Sequence, residues 1–345
     1  MKLCVLLGGP SAEREVSLAS GYGMAKAFQD RGHDVMLLDP ATGRAMRLEE
    51  FHADPPKADP PSAHNLKQFS QGDIVLKSLT SSVVLEADVI VFGLHGVPGE
   101  DGLMQSALEL QGKTFTGSNA RTTAICIDKH YTKSILKDAG ISVPSGIIVP
   151  IFAHYPERHA AWEFARSEYS LPLVIKPNDQ GSTVGLTILR DDSEDAFNKA
   201  IDAALEYSPK ALIEEFIEGR ELTVGILEHE ALPVLEITTN GGFYDYEHKY
   251  TPGMSFHECP ANLPSELASA IQADALKVFE VMGCHGYARV DFRLRPNGTY
   301  SCLEINTLPG MTSTSLIPDA AKAAGISFEE LCERILMASL PTNFG

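Results

Sequence analysis

"ARVDFRLRPNGTYSCLEINTLPGM", Ala288 to Met311, is the stretch on which the fold turns. Two alternating runs flank Asn297-Gly298, the strongest short signal for a β-hairpin, because a type I′ turn needs positive φ at both central residues. A two-residue turn there sets Asp291 opposite Glu304, Arg289 opposite Asn306, Val290 opposite Ile305 and Phe292 opposite Leu303. Side chains alternate between the faces of a strand. The four polar residues therefore share one face and the four apolar residues the other. Directly opposed carboxylates, with Cβ atoms about 5 Å apart, repel one another, and a cation between them removes that cost. An all-oxygen set of Asp, Glu and Asn suits a hard divalent ion that completes its shell with phosphate oxygens and water. Asp291, Glu304 and Asn306 are thus candidate Mg²⁺ ligands, and Arg289 can hold negative charge that develops beside them. A solvated sheet face with Arg289 balancing the acids is the plainer alternative.

Outward from the hairpin, "LVIKPNDQGSTVGLTIL" (residues 173–189) reads as strand, glycine-bearing loop, strand. Gly181, Ser182, Thr183 and Gly185 can offer backbone N–H groups and hydroxyls to phosphate, with Lys176 as a cation at the strand end. It is not a GxxxxGK[ST] loop; read alone, it is an ordinary hairpin loop. "ALIEEFIEGREL" places Glu214, Glu215, Phe216 and Ile217 along a strand whose backbone can read an adenine edge, with Glu221 in reach of a ribose; an edge strand with exposed acids is the bland version.

The rest of the chain bounds these readings. With 345 residues and 44% hydrophobic content, it has material for two or three cores. A formal charge of −18 argues against nucleic acid or an anionic membrane as partner, while leaving room for a local basic pocket. Six cysteines are scattered without a CxxC pair, which suits a reduced cytoplasmic setting better than a disulfide framework or zinc site. No apolar run approaches the ~20 residues of a membrane helix, and "KLCVLL" is too short for a signal peptide. It reads instead as a strand, followed by a helix through "EREVSLASGYGMAKAFQDRG" and a second strand "HDVMLLD". That β-α-β opening predicts a parallel sheet with helices on its faces. "HADPPKADPPSAH" reads as a surface insertion. Further strands separated by turns predict an antiparallel sheet in the second half. Helices are expected at "IDKHYTKSILKDAG", "EDAFNKAIDAALEYS", "SELASAIQADALKVFEVMG" and "SFEELCERILMASL".

In this order, the lysine-bearing strand, the glycine-serine loop, the acidic-aromatic strand and "ARVDF…LEINTLPGM" resemble the ATP-grasp superfamily. "LLGGPSAEREVSL", "GLHGVPGEDG", "YDYEHKY" and "EINTLPGMTSTSLIP" together resemble the D-alanine–D-alanine ligase family over nearly the whole chain. The resemblance implies a Rossmann-like α/β domain over 1–120, a central ATP-grasp subdomain over 121–213 and a C-terminal one over 214–345. It implies ATP as co-substrate, Mg²⁺ or Mn²⁺ (two ions), and a cytoplasmic homodimer that joins two D-alanines through an acyl phosphate for peptidoglycan precursors.

Position by position, Glu13 resembles the residue that holds the first ammonium, with Ser182 and Tyr250 as its partners and His95 near the reacting groups. Lys129, Lys176 and Lys249 resemble phosphate lysines, the last on a closing loop. Arg289 and the Gly310 N–H resemble oxyanion donors, and Ser315 and Leu316 the seat of the second carboxylate. Three features depart from the pattern: Thr183 stands in a Gly-Ser-Ser motif, Pro98 stands in the histidine loop, and the Pro-Ala insertion near residues 50–63 has no counterpart. A ligase with D-serine or another acceptor is the near alternative. A nucleotide-dependent oxidoreductase is disfavoured by the missing GxGxxG, and a non-catalytic nucleotide binder by the filled catalytic positions.

Overall fold

The computed structural model describes residues 1–51, 72–239, 254–312 and 314–340. The Pro-Ala stretch from 52 onward, and Lys249 and Tyr250 with most of the expected lid, lie outside the described residues.

β1 (Lys2–Leu6) and β4 (Val89–Phe92) are continuous apolar runs, so both faces must be covered. They form a parallel core with β2 (Asp34–Asp39), and the short β3 (Arg44–Met46) adds antiparallel at one edge, in the order β3-β2-β1-β4. Helix Arg14–Asp30 supplies the crossover. It rests directly on the strand ends: a Cβ on Gly21 would lie 2.4 Å from Leu7 Cβ, and one on Gly93 2.5 Å from Gly21 Cα. The close approach fixes the helix N-terminus, and Glu13 with it, at the C-terminal edge of the sheet, where open α/β sheets take ligands.

The second sheet is antiparallel. Its strands are β5 (Gly146–Pro150), β6 (Leu173–Pro177), β7 (Thr187–Leu189) and β8 (Lys210–Glu215), in the order β5-β8-β6-β7. β8 is therefore interior, not an edge, and it ends at Glu215, so Phe216 and Ile217 lie beyond it. One face is covered by helices Tyr155–Glu168 and Glu194–Leu205, whose Trp162 and Phe197 rings meet at 5.2 Å.

The third sheet contains β9 (Arg220–Leu227), β10 (Glu230–Ala231), β11 (Leu235–Thr239), β12 (Ser255–Glu258), β13 (Tyr287–Leu294) and β14 (Tyr300–Asn306). The order is β12-β11-β9-β13-β14, with β10 on β9. Helix Ser265–Val281 buries Ile271, Ala275, Val278 and Phe279 against it. The last helices, Leu316–Ala323 and Phe328–Ala338, return to the first sheet: Ile335 and Leu336 share a core with Met24 and Phe28. This return carries the loop after β14 back to Glu13 and His95. Among the described residues no helix is long and apolar enough to cross a membrane.

Candidate functional site

The β13–β14 hairpin pairs Arg289 with Asn306, Val290 with Ile305 and Asp291 with Glu304, as the sequence predicts. Nearer the turn the prediction fails. Phe292 faces Cys302, not Leu303, and the ladder closes on Arg295 N–H donating to the Thr299 carbonyl at 2.8 Å around Pro296-Asn297-Gly298. Only Gly298 of these has positive φ, at 86°. The turn is thus one residue longer than expected, and an irregularity between Asp291 and Phe292 restores the register at the site. A bulge sets two residues against one and re-aims a side chain. Here it places Leu303 beside Glu304 in the cleft wall instead of in the apolar layer.

Each opposed carboxylate has its own protein cation. Arg289 donates from Nε to Asp291 Oδ1 at 2.9 Å and from Nη2 to Oδ2 at 2.8 Å. Thr223 and Asn306 also donate to Asp291, at 2.6 and 3.1 Å. Lys129 Nζ lies 3.1 Å from Glu304 Oε2. The repulsion that pointed to a metal is therefore already relieved by Arg289 and Lys129. What favours a hard cation is the donor chemistry: two carboxylates and an amide, with no cluster of three or more His, Cys, Asp or Glu among the described residues. An ion held here would need oxygen atoms from a bound molecule, which matches how Mg²⁺ is shared with phosphates.

Across the cleft, Glu214 is buried between two lysines. Its Oε1 lies 2.5 Å from Lys176 Nζ, and its Oε2 is paired with Lys133. One carboxylate neutralises one ammonium, so the second remains in excess. Burial, with the Lys176 and Lys129 ammoniums nearby, pulls Lys133 well below the ordinary lysine value. The carboxylate of Glu214 thus positions Lys176; it is not turned to a base edge. Glu215 faces elsewhere, accepting from the Ser145 N–H at 3.1 Å. Five cations (Lys129, Lys133, Lys176, Arg289, Arg293) meet four carboxylates (Glu214, Glu221, Asp291, Glu304) around this cleft. In a chain of charge −18, a cleft whose wall carries Lys129, Lys176 and Arg289 beside equal numbers of acids is a local concentration of cations suited to phosphate.

The loop from Asn178 to Leu186 caps the cleft. Ser182 (φ 48°) and Thr183 (φ 59°) are consecutive left-handed residues, a conformation costing roughly 1–2 kcal/mol each for a non-glycine. Such strain marks functional loops, and successive N–H groups turned one way make an anion nest. The Ser182 hydroxyl donates to Glu13, and a Cβ on Gly181 would meet Glu13 Oε2 at 3.1 Å. The glycine-serine loop and the start of the first helix are therefore in contact.

His95 is buried and acts as a tie. Nδ1 is 2.9 Å from the Leu308 carbonyl and Nε2 2.9 Å from Ser20 Oγ, while the Met311 N–H donates to Ser20 at 3.2 Å. These contacts hold the Pro309-Gly310 loop against the first helix. Burial opposes the imidazolium, but the Glu100 and Glu13 carboxyls raise His95 above its usual value; burial pushes Glu100 up as well. Gly310 approaches so closely that a Cβ would lie 2.7 Å from Ser315 Oγ. Ser315 is the N-cap of helix Leu316–Ala323 and makes no side-chain cap; its hydroxyl accepts from the Thr312 N–H at 3.0 Å.

Two clefts result. One is lined by Glu13, His95, Asn306, Gly310 and Ser315, the other by Lys129, Lys176, Glu221, Asp291 and Leu303. Gly181, Ser182, Arg289, Glu304 and Leu316 line both. Glu214, Glu215, Phe216 and Ile217 line neither. Lys133 and Glu100 escaped the sequence reading. The signal for Lys133 was its place one helical turn after Lys129; Glu100 had none beyond its nearness to His95.

Two antiparallel sheets closing on a charged cleft, with a glycine-serine loop on one and an acidic hairpin on the other, define an ATP-grasp enzyme. The D-ala D-ala ligase N-terminus model matches residues 2–118, and the C-terminus model residues 135–337. The chain belongs to the D-alanine–D-alanine ligase family and is an ATP-dependent carboxylate–amine ligase. It is 38% identical to the D-alanine–D-alanine ligase of Syntrophotalea carbinolica, over 97% of this chain and 95% of the relative. It is 39% identical to that of Sphingopyxis alaskensis, over 98% and 97%. Among solved structures, the Bacillus anthracis D-alanine–D-alanine ligase complexed with ATP superposes with a TM-score of 0.74 at 28% identity, covering 98% of this chain and 96% of that one. The VanG D-Ala:D-Ser ligase of Enterococcus faecalis gives 0.77 at 27%, covering 98% and 99%.

Proposed function

We propose that this chain joins two D-alanines to D-alanyl-D-alanine at the expense of ATP, supplying peptidoglycan precursors. The observation that carries the reading is the wall shared by the two clefts, where a phosphate donor in one meets a carboxylate in the other. Glu13 holds the ammonium of the first D-alanine, steadied by Ser182 and completed by Tyr250. That substrate's carboxylate oxygen attacks the γ-phosphorus, the bond to the β,γ-bridging oxygen breaks, and ADP leaves. Lys129, Lys176, Lys249 and the loop N–H groups offset the phosphate charge.

The amine of the second D-alanine, its carboxylate at the Ser315–Leu316 helix start, then attacks the acyl carbon. Arg289 and the Gly310 N–H hold the tetrahedral oxyanion, phosphate leaves with the former carboxylate oxygen, and the amine loses a proton. Asp291, Glu304 and Asn306 would hold Mg²⁺ or Mn²⁺, two ions in all, which when bound neutralise phosphate charge. Glu221 reads the ribose, and backbone groups at Phe216 and Ile217 read the base.

We place the chain in the cytoplasm as a homodimer; Leu103 and Leu110, exposed on one helix at 65% and 90%, support a self-association face. The division into 1–120, 121–213 and 214–345 is supported by the presence of three sheets, although β8 runs on to Glu215. A D-serine acceptor is the second reading, favoured by the likeness to the VanG ligase. Phosphate release is expected with ATP and D-alanine alone, and not with ATP and L-alanine alone or ATP and D-lactate alone. Turnover that needs D-serine and fails with D-alanine alone would move the assignment to the second reading.

A further inference from the structure

At the far end of β13, Arg293 has no part in the chemistry above, although its partner Glu221 on β9 does. Alternation puts Arg289, Asp291 and Arg293 on one face of β13. A strand advances about 3.4 Å per residue, so Arg293 lies roughly 14 Å along it from Arg289. The direction is from the shared wall toward the segment joining β8 to β9. There Arg293 Nη2 is 3.0 Å from Glu221 Oε2, the two residues being direct cross-strand partners. Nη1 donates to the Gly219 carbonyl at 2.9 Å. Both side chains are largely buried, at 14% and 19% exposure. Gly219 itself is pressed onto β13: its φ is +141°, and a Cβ would lie 1.9 Å from the Leu294 carbonyl oxygen.

We propose that Arg293 is a positioning residue for nucleotide recognition. It fixes the Glu221 carboxylate to accept hydrogen bonds from the ribose hydroxyls, and it clamps Gly219, where the base-reading segment joins β9. This rests on the nucleotide reading of the cleft given above. Three physical points carry it. Glutamate has three side-chain torsions, and a carboxylate that must meet two hydroxyls gains from being held in one pose. A carboxylate close to a triphosphate is repelled by it, and the adjacent guanidinium cancels that repulsion. The two acceptors, a carbonyl and a carboxylate, are met by two prongs of one planar fork, which lysine's point charge cannot reproduce.

The test compares ATP with 2′-deoxyATP in D-alanine-dependent phosphate release, for the wild-type chain and for Arg293→Met, Arg293→Lys, Glu221→Gln and the Arg293→Met/Glu221→Gln double variant. The wild type is expected to prefer ATP. Arg293→Met raises the ATP KM by about tenfold, the scale of a hydrogen bond to a charged group, while kcat falls far less. Its preference for ATP drops to that of Glu221→Gln, the double variant is no worse than the poorer single one, and Arg293→Lys falls between. If Arg293→Met does not fold, Arg293→Lys carries the test, with a smaller loss of preference. An unchanged preference in the Arg293 variants, or an equal loss of kcat with both nucleotides at unchanged KM, overturns the proposal. A wild type inert toward ATP would instead remove the nucleotide reading on which it stands.

Discussion

Asp291→Asn is expected to lower divalent-metal-dependent turnover by about 10³-fold or more while the chain stays folded. Charge stabilisation at a transferring phosphoryl group contributes several kcal/mol, and each 1.36 kcal/mol is tenfold in rate. The substitution keeps size and shape but removes the negative charge. It also takes the counter-ion from Arg289, which makes two hydrogen bonds to that carboxylate. A loosened Arg289 is a poorer oxyanion donor, so the metal and the acyl-transfer functions fall together. The fold survives because β13 is held by backbone pairing to both β9 and β14. Steady-state kinetics over a Mg²⁺ titration, beside a thermal melt, checks this. Activity within tenfold of wild type would remove Asp291 from the metal set.

The second large effect is on stability. Glu214→Ala leaves Lys133 and Lys176 buried at 8% and 11% exposure without their shared carboxylate. Breaking a buried ionic set by removing the partner costs about 3–5 kcal/mol. Lys176→Met, by contrast, leaves a balanced Glu214–Lys133 pair; it costs phosphate binding and little stability. The pH dependence has a definite sign. A lysine held below its unfolded value of about 10.4 binds fewer protons folded than unfolded, so stability rises with pH and is lost as pH falls below that value toward the depressed folded one. Removing Glu214 deepens the depression, so Glu214→Ala recovers stability as the pH rises toward the unfolded lysine value of about 10.4. Urea unfolding at several pH values measures it; equal stability losses for the two variants would show that Glu214 does not carry this balance.

The chemistry-bearing face of the hairpin was legible because period-2 alternation survives any fold that buries one side of it. The pairing of Asp291 with Glu304 was reached by two offsets that cancel: a turn one residue longer than predicted, and an irregularity beside Phe292. Nothing local marks that irregularity, since Leu303 reads like any apolar strand residue. The β-α-β opening and the helix ending near Gly140 were visible because continuous apolar runs and a positive-φ glycine are local signals. Helix Tyr155–Glu168 was not. It buries only Trp162 and Ala165, and its start is marked by Pro156 and a capping box between His154 and Glu157. The ion pairing of Glu214 was not legible, because in the strand it reads as one acid among several. Burial between Lys133 and Lys176 is set by a helix that precedes it by some 80 residues, and tertiary placement of that kind leaves no pattern in the strand itself.

The central claim is that the phosphate donor and the carboxylate meet at the wall of Gly181, Ser182, Arg289 and Glu304. Isotope transfer tests it most directly: the chain is run with ATP and D-alanine labelled with ¹⁸O in both carboxylate oxygens, and the released phosphate is analysed by mass. An acyl phosphate requires one labelled oxygen in each phosphate formed. Unlabelled phosphate alongside D-alanyl-D-alanine would mean that the carboxylate never attacks the γ-phosphorus, and the account would be wrong.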